Sequence, residues 1–130
     1  MIDYIFVYGT LKPGLRFHYL CQDLGLASIQ EAYIENYDLY HLDSKNYPAI
    51  LEGSGTVYGY IFKFDDIAKA LEILDDLEGI NTEPAHYFRC NVNVKPQNIR
   101  AWAYVYNTDY NKNYDRLEPV VTGSWQPKEQ

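Results

Sequence analysis

The residue pattern predicts an α+β fold of about six strands, one well-marked helix and one short helix. Three observations carry that expectation. Aromatic residues make up 16% of the 130-residue chain, and 14 residues are tyrosine; aromatic side chains favour strands. Several runs alternate with the two-residue period of a half-buried strand. Residues 66–78 carry the helical period instead, between a candidate cap at Asp65 and a candidate stop at Gly79.

In chain order, Tyr4-Ile5-Phe6-Val7-Tyr8 reads as a buried strand that stops at Gly9, with Pro13-Gly14 following. Residues 15–24 fit a short helix, with Leu15 and Tyr19 on one face. Residues 28–42 alternate loosely and read as one or two strands broken near Glu35-Asn36. Tyr47-Pro48-Ala49-Ile50-Leu51 is a short strand whose proline suits an edge or the strand's beginning. Gly53-Ser54-Gly55 reads as a turn, and no helix follows to make it a phosphate loop. Residues 56–64 form the clearest strand, with Val57, Gly59 and Ile61 on one face and Tyr58, Tyr60, Phe62 and Phe64 on the other. Gly59 in its interior implies that something approaches the backbone closely. Residues 86–95 and 99–106 form a hairpin across Pro96-Gln97-Asn98. From Asn107 the chain is polar and aperiodic; it is expected to wrap the surface, with loose last residues.

Composition sets the class. The length suits one domain, residues 1–130, with its own core. No apolar run approaches the roughly 20 residues a membrane helix needs. The net charge of −7 disfavours a nucleic-acid partner, which calls for clustered Lys and Arg. Met1-Ile2-Asp3 lacks the basic start of a signal peptide. Cys21 and Cys90 have no metal-ligand spacing and read as reduced packing residues. These features point to a cytoplasmic protein.

Within the helix, Ile67, Leu71 and Leu74 share a stripe at roughly 100° per residue. Glu78 falls four residues past Leu74, on the core-facing stripe, whereas Asp75 and Asp76 step off it toward solvent. Burial raises a carboxyl's pKa, and the helix C-terminus pushes the same way. Glu78 is therefore a candidate proton carrier; the alternative is a frayed end whose side chain lies in water. The loop after the first strand is the other candidate element, because a glycine-bounded loop presents backbone N–H groups to a ligand.

These stretches resemble the gamma-glutamylcyclotransferase-like family. Tyr8-Gly9-Thr10-Leu11 is similar to its Tyr-Gly-Ser/Thr-Leu motif, and Leu74-Asp75-Asp76-Leu77-Glu78-Gly79 to its Leu-Asp-x-x-Glu-Gly segment. Tyr47-Pro48-Ala49-Ile50, Tyr87-x-Arg89, residues 101–106 and Gly123-Ser124-Trp125 also resemble family segments, in order along nearly the whole chain. The resemblance implies a small mixed β-barrel flanked by helices, with the site at its mouth and with no metal and no organic cofactor. It implies a small-molecule γ-glutamyl substrate whose α-amine attacks its own γ-carbonyl, giving 5-oxoproline and a free amine. Glu78 is then the catalytic acid/base. Residues Gly9, Thr10 and Leu11 cradle either the oxyanion or the substrate carboxylate. Tyr87 and Tyr104 are candidates for substrate hydrogen bonds. Tyr8 either enters the pocket or packs, and Arg89 either steadies the site's carboxylates or forms an ordinary strand ion pair. The alternatives are a deprotecting cyclotransferase of a biosynthetic pathway and a non-catalytic binding module on the same barrel.

Other groups read as structural. His18, His41 and His86 lack ligand spacing. Asp109-x-Asn111-x-Asn113 fails as a calcium loop because Tyr114 and Val120 stand where Gly and Glu are needed. Ser54 and Ser124 lack a nucleophile frame. Lys12 and Arg16 read as solvated loop cations that could attract a substrate carboxylate. The leaving amine and the oligomeric state are undetermined by the sequence.

Overall fold

Strand β1 (Tyr4–Val7) runs through the middle of a six-stranded sheet of order β4-β5-β1-β3-β2-β6. A computed structural model describes residues 2–42, 46–111 and 117–127. The remaining elements are α1 (His18–Asp23), β2 (Leu26–Leu42), β3 (Tyr47–Phe64), α2 (Ile67–Leu77), β4 (Tyr87–Val94), β5 (Ile99–Tyr106), a 3₁₀ turn (Thr108–Asn111) and β6 (Leu117–Pro119). β1 lies antiparallel to β3 and parallel to β5, so the sheet is mixed. It curls into a half-barrel until β2 meets the end of β4, where Tyr33 and Lys95 exchange backbone hydrogen bonds of 3.1 and 2.8 Å.

The curl makes two cores. Ile5 and Val7 face Phe62, Phe64 and the helix residues Ile67, Ala70 and Leu74. Phe6 and Tyr8 face the other way, toward Val57, Ile61, Val92 and Trp125. β1 is buried on both faces, which explains its unbroken apolar run. Of the two faces read for residues 56–64, Val57 and Ile61 enter the second core and Phe62 and Phe64 the first, while Tyr58 is exposed; Gly59 is a point of close approach, since a Cβ there would strike the Val7 carbonyl.

Several elements differ from the sequence reading. β2 is one strand, and the expected break is a β-bulge between Glu35 and Tyr37 with Asn36 at φ 68°. Gly53-Ser54-Gly55 is not a turn but the middle of β3. The missing Cβ atoms make room for the Asp38 carboxylate of β2, which accepts the Gly55 N–H at 2.9 Å. Pro48 is the second residue of β3, at the strand's beginning. The short helix starts only at His18, because residues 9–17 are held in successive turns. Asp66, not Asp65, caps α2 and accepts the Lys69 N–H at 3.2 Å.

The tail is less superficial than its polarity suggests. β6 pairs with β2, and Trp125 is 1% exposed, its indole N–H donating to His41 Nδ1 at 2.9 Å. The last residues, 128–130, and Asn113 and Tyr114 of the rejected calcium pattern lie outside the described residues. Among the described residues no helix is long and apolar enough to cross a membrane.

Because Trp125 fills the inner core, Trp125→Ala is expected to lower the unfolding free energy by about 3–5 kcal/mol. Urea denaturation followed by circular dichroism measures it; a loss under about 1 kcal/mol would show that the tail does not complete this core.

Candidate active site

The helix stop builds one side of the site. Gly79 adopts φ +70°, its N–H bonding to the Asp76 carbonyl at 3.2 Å, and the Ile80 N–H bonds to the Asp75 carbonyl at 3.1 Å. Together these are a Schellman closure, with Ile80 packed on the core beside Leu74. Glu78 is the C-cap residue. Its side chain leaves the helix at a fixed place instead of fraying. A side chain at Gly79 would strike the His86 ring, and the His86 N–H bonds to the Gly79 carbonyl at 2.9 Å. The end of α2 and the start of β4 are thereby clamped together.

The loop after β1 builds the other side. Residues 9–12 form a turn closed by Lys12 N–H to Gly9 carbonyl at 2.9 Å. The Thr10 carbonyl accepts the Phe17 N–H at 3.0 Å, and the Leu11 carbonyl bonds His18 Nδ1 at 2.9 Å. The loop's carbonyls are thus occupied. Among the described residues nothing receives the N–H of Gly9, Thr10 or Leu11. Gly9 and Leu11 are buried, and a buried donor calls for a partner. Gly9 is required by its neighbour, since a Cβ would run into the Pro48 ring.

Both sides face one cavity. Tyr8, Gly9, Thr10, Leu11, Glu78, Tyr87 and Tyr104 all line it, so every site residue expected from the sequence meets there. Phe17, Leu42, Tyr47 and Leu77 add apolar wall. His86 lines it as well. The sequence reads it as structural, and its contacts with Gly79, distant in the local pattern, bring it here. His18 and His41 are buried packing groups, as read.

Electrostatics single out Glu78. Burial first, and the Asp75 carboxylate second, push its pKa up to about 7. Asp75 does not step toward solvent. It accepts Tyr104 Oη–H at 2.8 Å and pairs with Arg89 at 2.8 Å. Arg89 and Tyr104 are cross-strand neighbours on β4 and β5, so Asp75 docks α2 onto that hairpin. Arg89 thus steadies a carboxylate beside the site without lining the cavity. Tyr8 donates to the Tyr104 carbonyl and Tyr87 to the Pro48 carbonyl at 2.6 Å. Burial raises the pKa of Tyr8, Tyr87 and Tyr104, so all three stay protonated.

One further expectation changes. Lys12 is not solvated: it is 5% exposed, and its ammonium donates to the Trp125 carbonyl at 2.6 Å. It serves to tie the loop to the tail. Arg16 is exposed, as read, and in addition lies over the Phe17 and Tyr47 rings at 4.9 and 4.8 Å.

The chain matches the family model described as gamma-glutamyl cyclotransferase, AIG2-like, over residues 5–127. The gamma-glutamylcyclotransferase family protein ytfP of Citrobacter rodentium is 31% identical over 128 residues, covering 97% of each chain. Among solved structures, an AIG2-like protein from Mus musculus superposes with a TM-score of 0.70 at 26% identity, over 99% of this chain and 98% of its own. A structure described as gamma-glutamyl cyclotransferase shares the fold at a TM-score of 0.64 and 19% identity, over 89% of this chain and 68% of its own.

The raised pKa of Glu78 has a consequence for stability. The folded state favours the protonated form. Stability from that form is therefore present at low pH and is lost as pH rises from the ordinary carboxyl value through about 7. Glu78→Gln removes the penalty and is expected to stabilise the protein by about 1–3 kcal/mol at pH 8 and hardly at all at pH 4. Thermal melts of both proteins at the two pH values test this, and equal shifts at both would contradict it.

Proposed function

The chain belongs to the AIG2-like gamma-glutamyl cyclotransferase family, and on that premise we propose that it cyclises the γ-glutamyl group of a γ-glutamyl amide to 5-oxoproline, releasing the amine. The observation that carries this reading is the meeting, on one cavity, of a carboxyl with a pKa of about 7 and a loop whose N–H groups have no protein acceptor among the described residues.

The substrate's α-ammonium gives a proton to the Glu78 carboxylate and becomes a nucleophile. Its nitrogen attacks the γ-carbonyl carbon; a carbon–nitrogen bond forms and the carbonyl electrons move onto oxygen. The N–H groups of residues 9–11 are the proposed donors to a negative oxygen, either this oxyanion or the substrate's carboxylate. Glu78 returns this proton to the leaving nitrogen as the original amide bond breaks, then takes the second proton from the attacking nitrogen and passes it to the released amine, so that the lactam is left neutral and the amine departs as an ammonium. The carboxyl begins and ends ionised, and no other reactant is consumed. A pKa near 7 suits both halves of that cycle, because neither transfer is strongly uphill at neutral pH.

Nucleophile and electrophile belong to one molecule, so the cavity's task is to fold a flexible chain into attack geometry. The apolar wall of Phe17, Leu42, Tyr47 and Leu77 fits that task by excluding water from the reacting carbon. Cys21 and Cys90 are both free thiols, which fits a reducing cytoplasmic setting for the reaction.

Glu78→Gln keeps the size of the side chain and removes its proton exchange. It is expected to lower 5-oxoproline release from γ-glutamyl amides by about 10²–10⁴-fold while the circular dichroism spectrum is unchanged. A variant that turns over at the wild-type rate would sink the mechanism.

A further inference from the structure

The turns of residues 9–17 are closed from within. The Lys12 N–H bonds to the Gly9 carbonyl at 2.9 Å, and the Leu15 and Phe17 N–H groups bond to the Lys12 and Thr10 carbonyls at 3.0 Å. The Leu11 carbonyl bonds His18 Nδ1, on the first residue of α1, at 2.9 Å. These bonds fix the shape of the segment but not its place on the barrel. Contact with the Pro48 ring stops Gly9 from moving closer to β3 and does nothing to stop it moving away. Among the described residues a single hydrogen bond runs from residues 9–17 to anything beyond α1, and it joins the Lys12 ammonium to the Trp125 carbonyl at 2.6 Å.

That acceptor is itself held by the barrel. The Trp125 ring is buried, stacks on His41 at 6.0 Å and donates to it. Two residues earlier, the Gly123 carbonyl accepts the Tyr58 N–H at 2.8 Å, and a side chain at Gly123 would strike the Thr56 carbonyl. Lys12 is buried as well, with no carboxylate at ion-pair distance among the described residues. Burying an ammonium against one neutral oxygen costs free energy, and an apolar chain of similar length would pack there more favourably. What the bond gives in return is a position, and the residues next to it are Gly9, Thr10 and Leu11. We infer that Lys12 is the positioning residue of the Gly9–Leu11 cradle and that the C-terminal segment through Trp125 is its anchor. Lys12 does not line the cavity and touches no ligand there. It keeps three N–H donors in place before the ligand arrives, and a donor that must first be ordered stabilises a negative oxygen less. The inference rests on the proposed cyclisation for what the cradle binds, while the anchoring is independent of it.

The test removes the donor. Lys12→Met keeps the length of the side chain; Lys12→Gln, one atom shorter and uncharged, takes its place if the first variant does not fold. N–H exchange at Leu15 and Phe17, followed by NMR on the full chain, is expected to quicken at least about tenfold, with Ala70 of α2 unchanged. For 5-oxoproline release from γ-glutamyl amides, kcat/KM is expected to fall at least about tenfold. The loss falls on kcat where the cradle holds the oxyanion and on KM where it holds the substrate carboxylate. Ile67→Val loosens the core at the opposite end of α2 from Glu78 and should leave both readouts within about twofold. Unchanged exchange, quickened exchange with unchanged kcat/KM, or the same losses in Ile67→Val would overturn the inference. If the wild type releases no 5-oxoproline from any γ-glutamyl amide and the Lys12 variant still quickens exchange at Leu15 and Phe17, the cyclisation reading fails and the anchoring stands.

Discussion

The backbone hydrogen bonds from Gly79 to Asp76 and from Ile80 to Asp75 end α2 in a single left-handed residue, and the position of Glu78 depends on them. A helix end without such a closure frays, and a terminal glutamate would then reach water at little cost. Here the next residue is folded back under the core by Ile80, and the loop beyond is tied to the same glycine. Thr82 Oγ1 donates to the Gly79 carbonyl at 2.7 Å, and the His86 N–H donates to it as well. Both backbone neighbours of Glu78 are thereby fixed where it lines the cavity. The raised pKa comes from burial first and the Asp75 charge second, and the helix end fixes the residue where both act.

That arrangement works against stability and is offset elsewhere. Burying a carboxyl costs free energy whenever it is ionised, and Asp75, one turn earlier, adds repulsion. The Asp75 charge is itself satisfied by Arg89 and Tyr104, so the helix is anchored by one carboxylate while the other lines the cavity. Two carboxylates three residues apart thereby take different roles because their partners differ. The phenols around them follow the same logic. Their hydrogens brace the framework, from Tyr8 to β5, from Tyr87 to β3 and from Tyr104 to α2.

Much of this was legible in the sequence. The alternation of residues 56–64, 86–95 and 99–106 fixed the strands, and Glu78 on the apolar stripe of its helix marked the site before any coordinates. Gly59 was legible as a point of close approach, and β1 supplies that approach. What escaped was information carried by contacts distant in the chain. Gly53-Ser54-Gly55 has the composition of a turn, and only the Asp38 carboxylate packed over it explains why the strand continues. Lys12 reads as a loop cation until the Trp125 carbonyl, 113 residues away, is placed against it. Asp75 has the position of a solvent-facing residue in the helical period, and two residues of the following hairpin turn it inward. Local periodicity reports which side of an element faces the core; it does not report which polar group waits there.

The central claim is that Glu78 is a carboxyl held at the threshold of ionisation at neutral pH by the way α2 ends. A carbon-13 NMR titration of the glutamate side-chain carboxyls measures it directly, with Glu78→Gln identifying the resonance. The account predicts that this one carboxyl titrates with a midpoint near 7, well above the ordinary glutamate range of about 4.3. A midpoint in that ordinary range would contradict it.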